Sequence, residues 1–315
     1  MRNWIKIMGK TAFIFPGQGA QYCGMGKDFF DAFDTAKKVY VAAGEATGLD
    51  VGELCFTEND RLDVTEYTQI AMLATEVAIL KVLEEKGLRA DCTAGLSLGE
   101  YGALAAAGGM ELPQLFWLIR CRGIYMQEAY PEGGAMSAVL GLDAEKIRNI
   151  CAGTEGVVSI ANDNCPGQIV ITGEAGAVQA ASASLLEAGA KRCIPLKVSG
   201  PFHSGLLAGA GAKLAAELEG VQVRRPVIPY ICNVEASYIT ESAPIKELLA
   251  RQVSSTVRWR ESMELMLADG VDTFIEIGPG KTLAGFLKKM SRDVKVINVG
   301  TVEDLACIPD CREGN

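Results

Sequence analysis

The chain has 315 residues, of which 49% are hydrophobic and 22% charged, and it carries a net charge of −9. This length suits one large α/β domain, or a large domain with a smaller insert, around a well-filled core. The acidic balance argues against nucleic acid as a partner, since phosphate binding needs a basic face, and no apolar run approaches the length that spans a membrane.

The opening MRNWIKIMGK is too short and too polar for a signal peptide. Residues 1–7 read as an extension ahead of a fold that is expected to start at Met8. Thr11–Phe15 is an apolar, aromatic run halted by Pro-Gly, the pattern of a buried strand feeding a turn, here PGQGAQ at residues 16–21. Tyr67–Glu85 has helical spacing, with Ile70, Leu73, Ala74, Val77, Leu80 and Val82 mostly on one side. Asp91–Leu96 reads as a strand, and Leu98–Ala107 and Leu112–Ala129 read as helices. The texture changes at Pro131-Glu132-Gly133-Gly134. Beyond it, residues 135–142 predict a strand, 143–153 a helix, 157–163 and 168–174 two strands, 175–189 a helix and 191–198 a strand. This β-α-β-β-α-β order is that of a ferredoxin-like unit. A loop SGPFHS follows, then a helix over Leu206–Glu219 and strands at Val227–Cys232 and Thr273–Ile277, with helices between and after. The tail beyond Thr301 has no clear pattern. The whole predicts an α/β protein with a parallel sheet. Its large domain is discontinuous (8–130 and 199–300), with an inserted subdomain at 131–198 and a C-terminal tail at 301–315.

The ten cysteines (Cys23, Cys55, Cys92, Cys121, Cys151, Cys165, Cys193, Cys232, Cys307 and Cys311) form no C-x-x-C pair, and there is one histidine. A Cys/His zinc site is therefore not expected. The cysteines read as reduced, mostly buried thiols of a cytoplasmic protein.

Gly95-Leu96-Ser97-Leu98-Gly99 is a G-x-S-x-G pentapeptide set between a predicted strand and a predicted helix. Two readings stand. Ser97 is a nucleophile on a strand-to-helix elbow, or Ser97 and Glu100 form the S-x-x-E capping box of the helix. A serine nucleophile needs an adjacent base. His203 is the sole histidine, so it is that base or the serine has no imidazole partner. Arg122 lies among Phe116, Trp117, Leu118, Ile119, Ile124 and Met126. A guanidinium buried there needs an anion, although a salt bridge to Glu128 or simple exposure would also account for it. In FPGQGAQ, two glycines flank Gln18. Acyl-transfer sites hold the oxyanion with one N–H from the residue after the nucleophile and one from an early loop. Leu98 and Gln18 fit those two places, and an ordinary strand-to-helix turn remains the alternative.

FPGQGAQ, GLSLGEY, RGIYMQEA, ANDNCPGQIVITG, VSGPFHS, ARQVSSTVRW and FIEIGPGKTLAGF occur in that order across nearly the whole chain. In this the sequence resembles malonyl-CoA:acyl carrier protein transacylases. The resemblance implies an α/β-hydrolase-like large domain with a ferredoxin-like subdomain. By position, Ser97 matches the acylated serine and His203 the catalytic histidine. Arg122 matches the arginine that pairs with the malonyl carboxylate. Gln18 and Leu98 match the oxyanion-hole positions, and Gln252 matches the glutamine whose backbone carbonyl orients the histidine. Asn162 matches a polar residue near the site, and Phe202 is expected to crowd a branched acyl unit. The implied reaction moves malonyl from coenzyme A through a malonyl-serine to the pantetheine thiol of an acyl carrier protein, without metal or other cofactor. The family implies a monomer. Lys191, Arg192, Lys197, Lys281, Lys288 and Lys289 are candidates for docking the acidic carrier protein. A serine thioesterase is the rival enzyme reading, and a scaffold with a decayed site is the non-enzymatic one. One departure stands out: the family's usual Gly-His-Ser is here Gly95-Leu96-Ser97, which makes that wall drier.

Overall fold

In the computed structural model of the chain, residues 9–198 and 200–308 are described. The expected start at Met8, the extension 1–7, Ser199 of SGPFHS and the tail from 309, with Cys311, lie outside the described residues.

The chain opens with β1 (Lys10–Phe15), followed by three helices that no apolar pattern announces: α1 (Lys27–Ala32), α2 (Asp34–Thr47) and α3 (Val51–Phe56). Next come α4 (Thr65–Glu85), β2 (Cys92–Gly95), α5 (Gly99–Ala106) and α6 (Leu112–Ala129). The expected one-sided character of α4 is wrong. Its residues Ile70 to Leu80 are buried without interruption, because α2, α5 and α6 all pack around it. A helix covered on every side needs no polar face, which is why its sequence shows only a weak stripe.

The next stretch is β3 (Gly134–Leu140), α7 (Ala144–Ala152), β4 (Val158–Cys165), β5 (Gln168–Glu174), α8 (Ala175–Glu187) and β6 (Arg192–Pro195). The four strands form an antiparallel sheet in the order β4-β5-β3-β6, the ferredoxin-like arrangement. It has its own core, in which Val139, Ile147, Ile160, Ile171 and Leu185 meet.

The chain then returns through a 3₁₀ turn (Gly205–Leu207) to α9 (Ala208–Glu219), so the helix expected from Leu206 starts slightly later. β7 is only Tyr230–Ile231, shorter than the expected Val227–Cys232, since Val227 is 79% exposed and outside the sheet. β8 (Tyr238–Ile239), α10 (Ile245–Gln252), α11 (Trp259–Ala268), β9 (Val271–Ile277), α12 (Thr282–Met290) and β10 (Lys295–Val299) complete the order. The tail is not patternless at its start. Val302–Cys307 is a 3₁₀ turn opened by a capping box between Thr301 and Asp304.

The large sheet has the order β10-β9-β1-β2-β7-β8, and every pairing is parallel except β7 with β8. It thus belongs to the α/β class, with helices covering both faces. The small sheet is strapped to it. Val257 N–H bonds Ala161 O at 2.8 Å, Asp163 N–H bonds Val257 O at 3.0 Å, and Arg260 grips the Asp163 carboxylate at 2.9–3.2 Å. Among the described residues the cysteines are free, and six of them are buried. None of the described helices is long and apolar enough to cross a membrane.

Candidate active site

Parallel register decides what meets at the carboxyl ends of the strands. Phe15 pairs with Gly95, which brings the Gly17–Gln18 turn beside the pentapeptide. Tyr230 and Ile231 pair with Thr93 and Ala94, which brings Asn233 to its other side.

The pentapeptide is an elbow. Ser97 has φ 57, a left-handed conformation that side-chain-bearing residues avoid. Both glycines are needed for close approach. A Cβ on Gly95 would strike the carbonyl of Gly99, and one on Gly99 would strike the carbonyl of Phe15. The capping-box reading is overturned, because α5 carries no side-chain cap. The Ser97 hydroxyl instead lies 2.7 Å from His203 Nε2, and the Glu100 carboxylate faces Asn233 and Gln252.

His203 is buried and also has a left-handed backbone, φ 62. Such strained positions cluster at sites where the surroundings over-determine the conformation, at a cost of order 1–3 kcal/mol each. His203 Nδ1 lies 2.9 Å from the backbone oxygen of Gln252. A carbonyl only accepts, so Nδ1 carries the proton and Nε2 is free to accept from Ser97. Burial, and then the Arg122 charge, push the imidazole down to about 4. It is therefore neutral, and basic at Nε2, at physiological pH.

Arg122 is 1% exposed, on the core face of α6 beside Leu118, Ile119 and Met126. Its Nη1 donates to Gln69 Oε1 at 2.7 Å, and its Nη2 donates to Gln252 Oε1 at 2.9 Å and Ser97 Oγ at 3.2 Å. The alternative partner Glu128 pairs with Lys213 instead. Among the described residues no carboxylate oxygen lies within ion-pair distance of this guanidinium, and its Nε has no partner. A buried cation with only neutral ligands calls for an anion.

These groups border one cavity of about 250 Å³. Its polar side is Gly17, Gln18, Gln69, Ser97, Leu98, Arg122 and His203; its opposite wall, from the small sheet, includes Met136, Ala138, Asn162, Asn164, Val170 and Leu196. Leu96, Phe202, Thr282, Leu283 and Phe286 also border it. Glu276 fixes the last three by accepting the N–H groups of Leu283 and Ala284 at the start of α12, at 3.0 and 2.9 Å. Of the residues expected at the site, Ser97, His203, Arg122, Gln18, Leu98, Asn162 and Phe202 all face the cavity. Gln252, expected to orient the histidine through its backbone carbonyl, does place that oxygen 2.9 Å from His203 Nδ1; its side chain is fully buried between Ser97 and Arg122, away from the cavity. Sequence reasoning missed Gln69, Asn164 and Asn233. Asn164 had a signal, its two-residue spacing from Asn162 on one strand; the other two had none. Among the described residues no three His, Cys, Asp or Glu side chains gather as a metal-holding cluster.

Residues 12–311 match the acyl transferase domain family. The chain is 46% identical over 303 residues to the malonyl CoA-acyl carrier protein transacylase of Bacillus subtilis, covering 95% of this chain and 96% of that one. The crystal structure of MCAT from Streptococcus pneumoniae superposes with a TM-score of 0.92 at 47% identity, covering 95% and 98% of the two chains. A malonyl-transacylase in complex with a type II PKS acyl-carrier protein superposes with a TM-score of 0.91 at 40% identity, covering 94% and 98%. The chain belongs to the acyl transferase domain family, in the group of the malonyl CoA-acyl carrier protein transacylases.

Proposed function

We propose that this chain transfers a malonyl group from malonyl-CoA to the pantetheine thiol of an acyl carrier protein, through a malonyl-serine at Ser97. The observation that carries the reading is Arg122: a buried guanidinium with no carboxylate within ion-pair distance among the described residues, 3.2 Å from a serine oxygen that is itself 2.7 Å from a neutral histidine. A carboxylate held there leaves the other end of a three-carbon diacid over Ser97.

His203 Nε2 takes the Ser97 proton as Oγ attacks the thioester carbonyl, and the Gln18 and Leu98 N–H groups receive the oxyanion. Collapse expels the coenzyme A thiolate, which takes the proton from His203. The carrier protein's thiol then enters, gives its proton to His203 and attacks the ester, and Ser97 recovers its proton as it leaves. This is ping-pong transfer, and the route calls on no metal or other cofactor. Each charge-assisted bond from Arg122 to the malonyl carboxylate is worth about 1.5–3 kcal/mol. Asn162 and Asn164 supply amides for the thioester arm, and Phe202 crowds a branched acyl unit. Leu96 keeps water from the ester. The backbone carbonyl behind His203, in place of the carboxylate of a hydrolase triad, argues for transfer over hydrolysis. Every group needed comes from one chain, so the working unit is a monomer, and the free thiols fit a cytoplasmic setting.

Brief exposure to malonyl-CoA followed by intact-mass measurement tests this. The wild type gains one malonyl adduct on Ser97, and Ser97→Ala gains none. An adduct on the alanine variant, or none on the wild type, overturns the reading.

A further inference from the structure

Ser97 sits in a conformation that its backbone does not favour, so the peptide planes on both sides of it need holding. The plane before it is held by Asn233, whose Oδ1 accepts the Ser97 N–H at 2.7 Å while its Nδ2 donates to Gly95 O, also at 2.7 Å. One amide thus closes a ring across Leu96. The plane after it is held by Gln252, whose Nε2 donates to Ser97 O at 2.8 Å. Both holders are tied to the same atom. Glu100 Oε2 accepts the Asn233 N–H at 3.1 Å and Gln252 Nε2 at 2.8 Å. Gln252 in turn presents Oε1 to Arg122 and its backbone carbonyl to His203. Asn233 and Glu100 are 1% and 0% exposed, and neither borders the cavity.

We propose that Asn233 and Glu100 are positioning residues for the acylation of Ser97: a buried carboxylate holds the Asn233 backbone and the Gln252 side-chain amide, and these two residues set the serine, the histidine and the arginine relative to one another. Glu100 also fixes which way the Gln252 amide points. Its nitrogen faces the acid and its oxygen faces the guanidinium, so the amide bridges an acidic and a basic group that do not touch. Turning that amide round would set its NH₂ against Arg122 and withdraw the donor from Ser97 O. This inference rests on the reading of Ser97 as the acylated nucleophile.

The test is the single-turnover rate of Ser97 malonylation, followed by intact mass against malonyl-CoA concentration, together with the final labelled fraction. Asn233→Ala lowers the maximal rate about 10- to 100-fold, the size expected when a reacting atom drifts by about an ångström. The half-saturating malonyl-CoA concentration stays within about threefold, because the cavity lining is intact, and the final labelled fraction stays complete. Glu100→Gln keeps an oxygen for both donors and stays within about threefold of wild type, whereas Glu100→Leu falls as Asn233→Ala does. Wild-type rates in Asn233→Ala overturn the proposal. So does a reduced labelled fraction whose active molecules react at the wild-type rate, since that is the mark of a merely structural role. Should Asn233→Ala not fold, the Glu100 pair decides, and equal rates for Gln and Leu overturn it. A wild type that takes no label sinks the acyl-transfer reading instead, so the two failures are distinguishable.

Discussion

The cavity has two unlike sides. The floor, supplied by the parallel sheet and its helices, rests on a polar network in which Ser97, Arg122, His203, Gln252, Asn233, Glu100 and Gln69 are linked by bonds of 2.7–3.2 Å. The wall, supplied by the four-stranded antiparallel sheet, is mostly side-chain bulk from Met136, Ala138, Val170 and Leu196, with Asn162, Asn164 and Gln168 as its polar members. One of those three, Asn164, has a buried Oδ1 with no partner. A buried network of this kind rigidifies and tolerates little, whereas an apolar wall is exchangeable in volume. The floor therefore carries the chemistry, and the wall and its rim carry the fit.

The largest effect after loss of the nucleophile belongs to Arg122. Arg122→Ala removes the only cation among the described residues of the floor and takes the Arg122 donor from Gln69 Oε1 and Gln252 Oε1. Losing two charge-assisted bonds to the substrate carboxylate predicts a fall of about 10²–10⁴-fold in malonyl transfer. Acetyl-CoA, which has no carboxylate to lose, is affected far less, and the ratio of the two donors in a competition assay reads this directly. An unchanged malonyl preference would take Arg122 out of substrate recognition and break the division between floor and wall.

How far the floor was legible in the sequence follows from the same division. Ser97 could be read because an elbow needs glycines on both sides, and those repeat a local pattern. His203 could be read because there was no other imidazole. Arg122 was visible as a charge amid apolar helix neighbours, but its partners were not: Gln69 lies 53 residues away and Gln252 lies 130 residues away. Asn233 left no trace at all. It arrives beside the elbow only because a two-residue strand, Tyr230–Ile231, pairs in parallel with Thr93–Ala94, and no local periodicity encodes that register. In the small subdomain the element order was readable throughout, since antiparallel neighbours and alternating apolar residues leave local signals. The two-residue β8 was too short to leave any.

The pH dependence sharpens the comparison further. Burial and the Arg122 charge hold His203 at about 4, so malonylation of Ser97 is expected to stay near its full rate as pH falls from 8 to about 5 and to fail near 4. A limb near the ordinary imidazole value of about 6.5 would mean that the histidine is solvated, not held by the network. Stability follows the same group with a definite sign. Its folded value lies below its unfolded one, so its contribution is present above about 6.5 and is lost as pH falls through 4. Glu100, raised by its burial to about 7, has the opposite sense: its contribution is full below about 4.5 and is lost as pH rises through 7. Thermal unfolding across pH 4–8 therefore shows a broad optimum, and Glu100→Gln removes the loss on its alkaline side.

The smallest effect belongs to the rim. Arg192 and Lys197 are exposed at the open edge of the small sheet, and Leu196 beside them borders the cavity. Across the mouth, Lys281 is exposed next to Thr282, which also borders it, and Lys288 and Lys289 lie further along α12. These charges sit beside the cavity on a protein of net charge −9, which makes them the candidates for attracting an acidic carrier protein to its mouth. Rim charges act mainly on encounter and are screened within about 10 Å at 0.1 M salt. Reversing two of them, Lys197→Glu with Lys281→Glu, is expected to slow transfer to the carrier protein about three- to tenfold at low salt and much less at high salt. Loading from malonyl-CoA touches the same floor but meets fewer opposing charges, so it changes less. Equal losses in both half-reactions, or a loss that salt does not reduce, would mean that these residues shape the cavity instead of guiding the partner to it, and that wall and rim act as one.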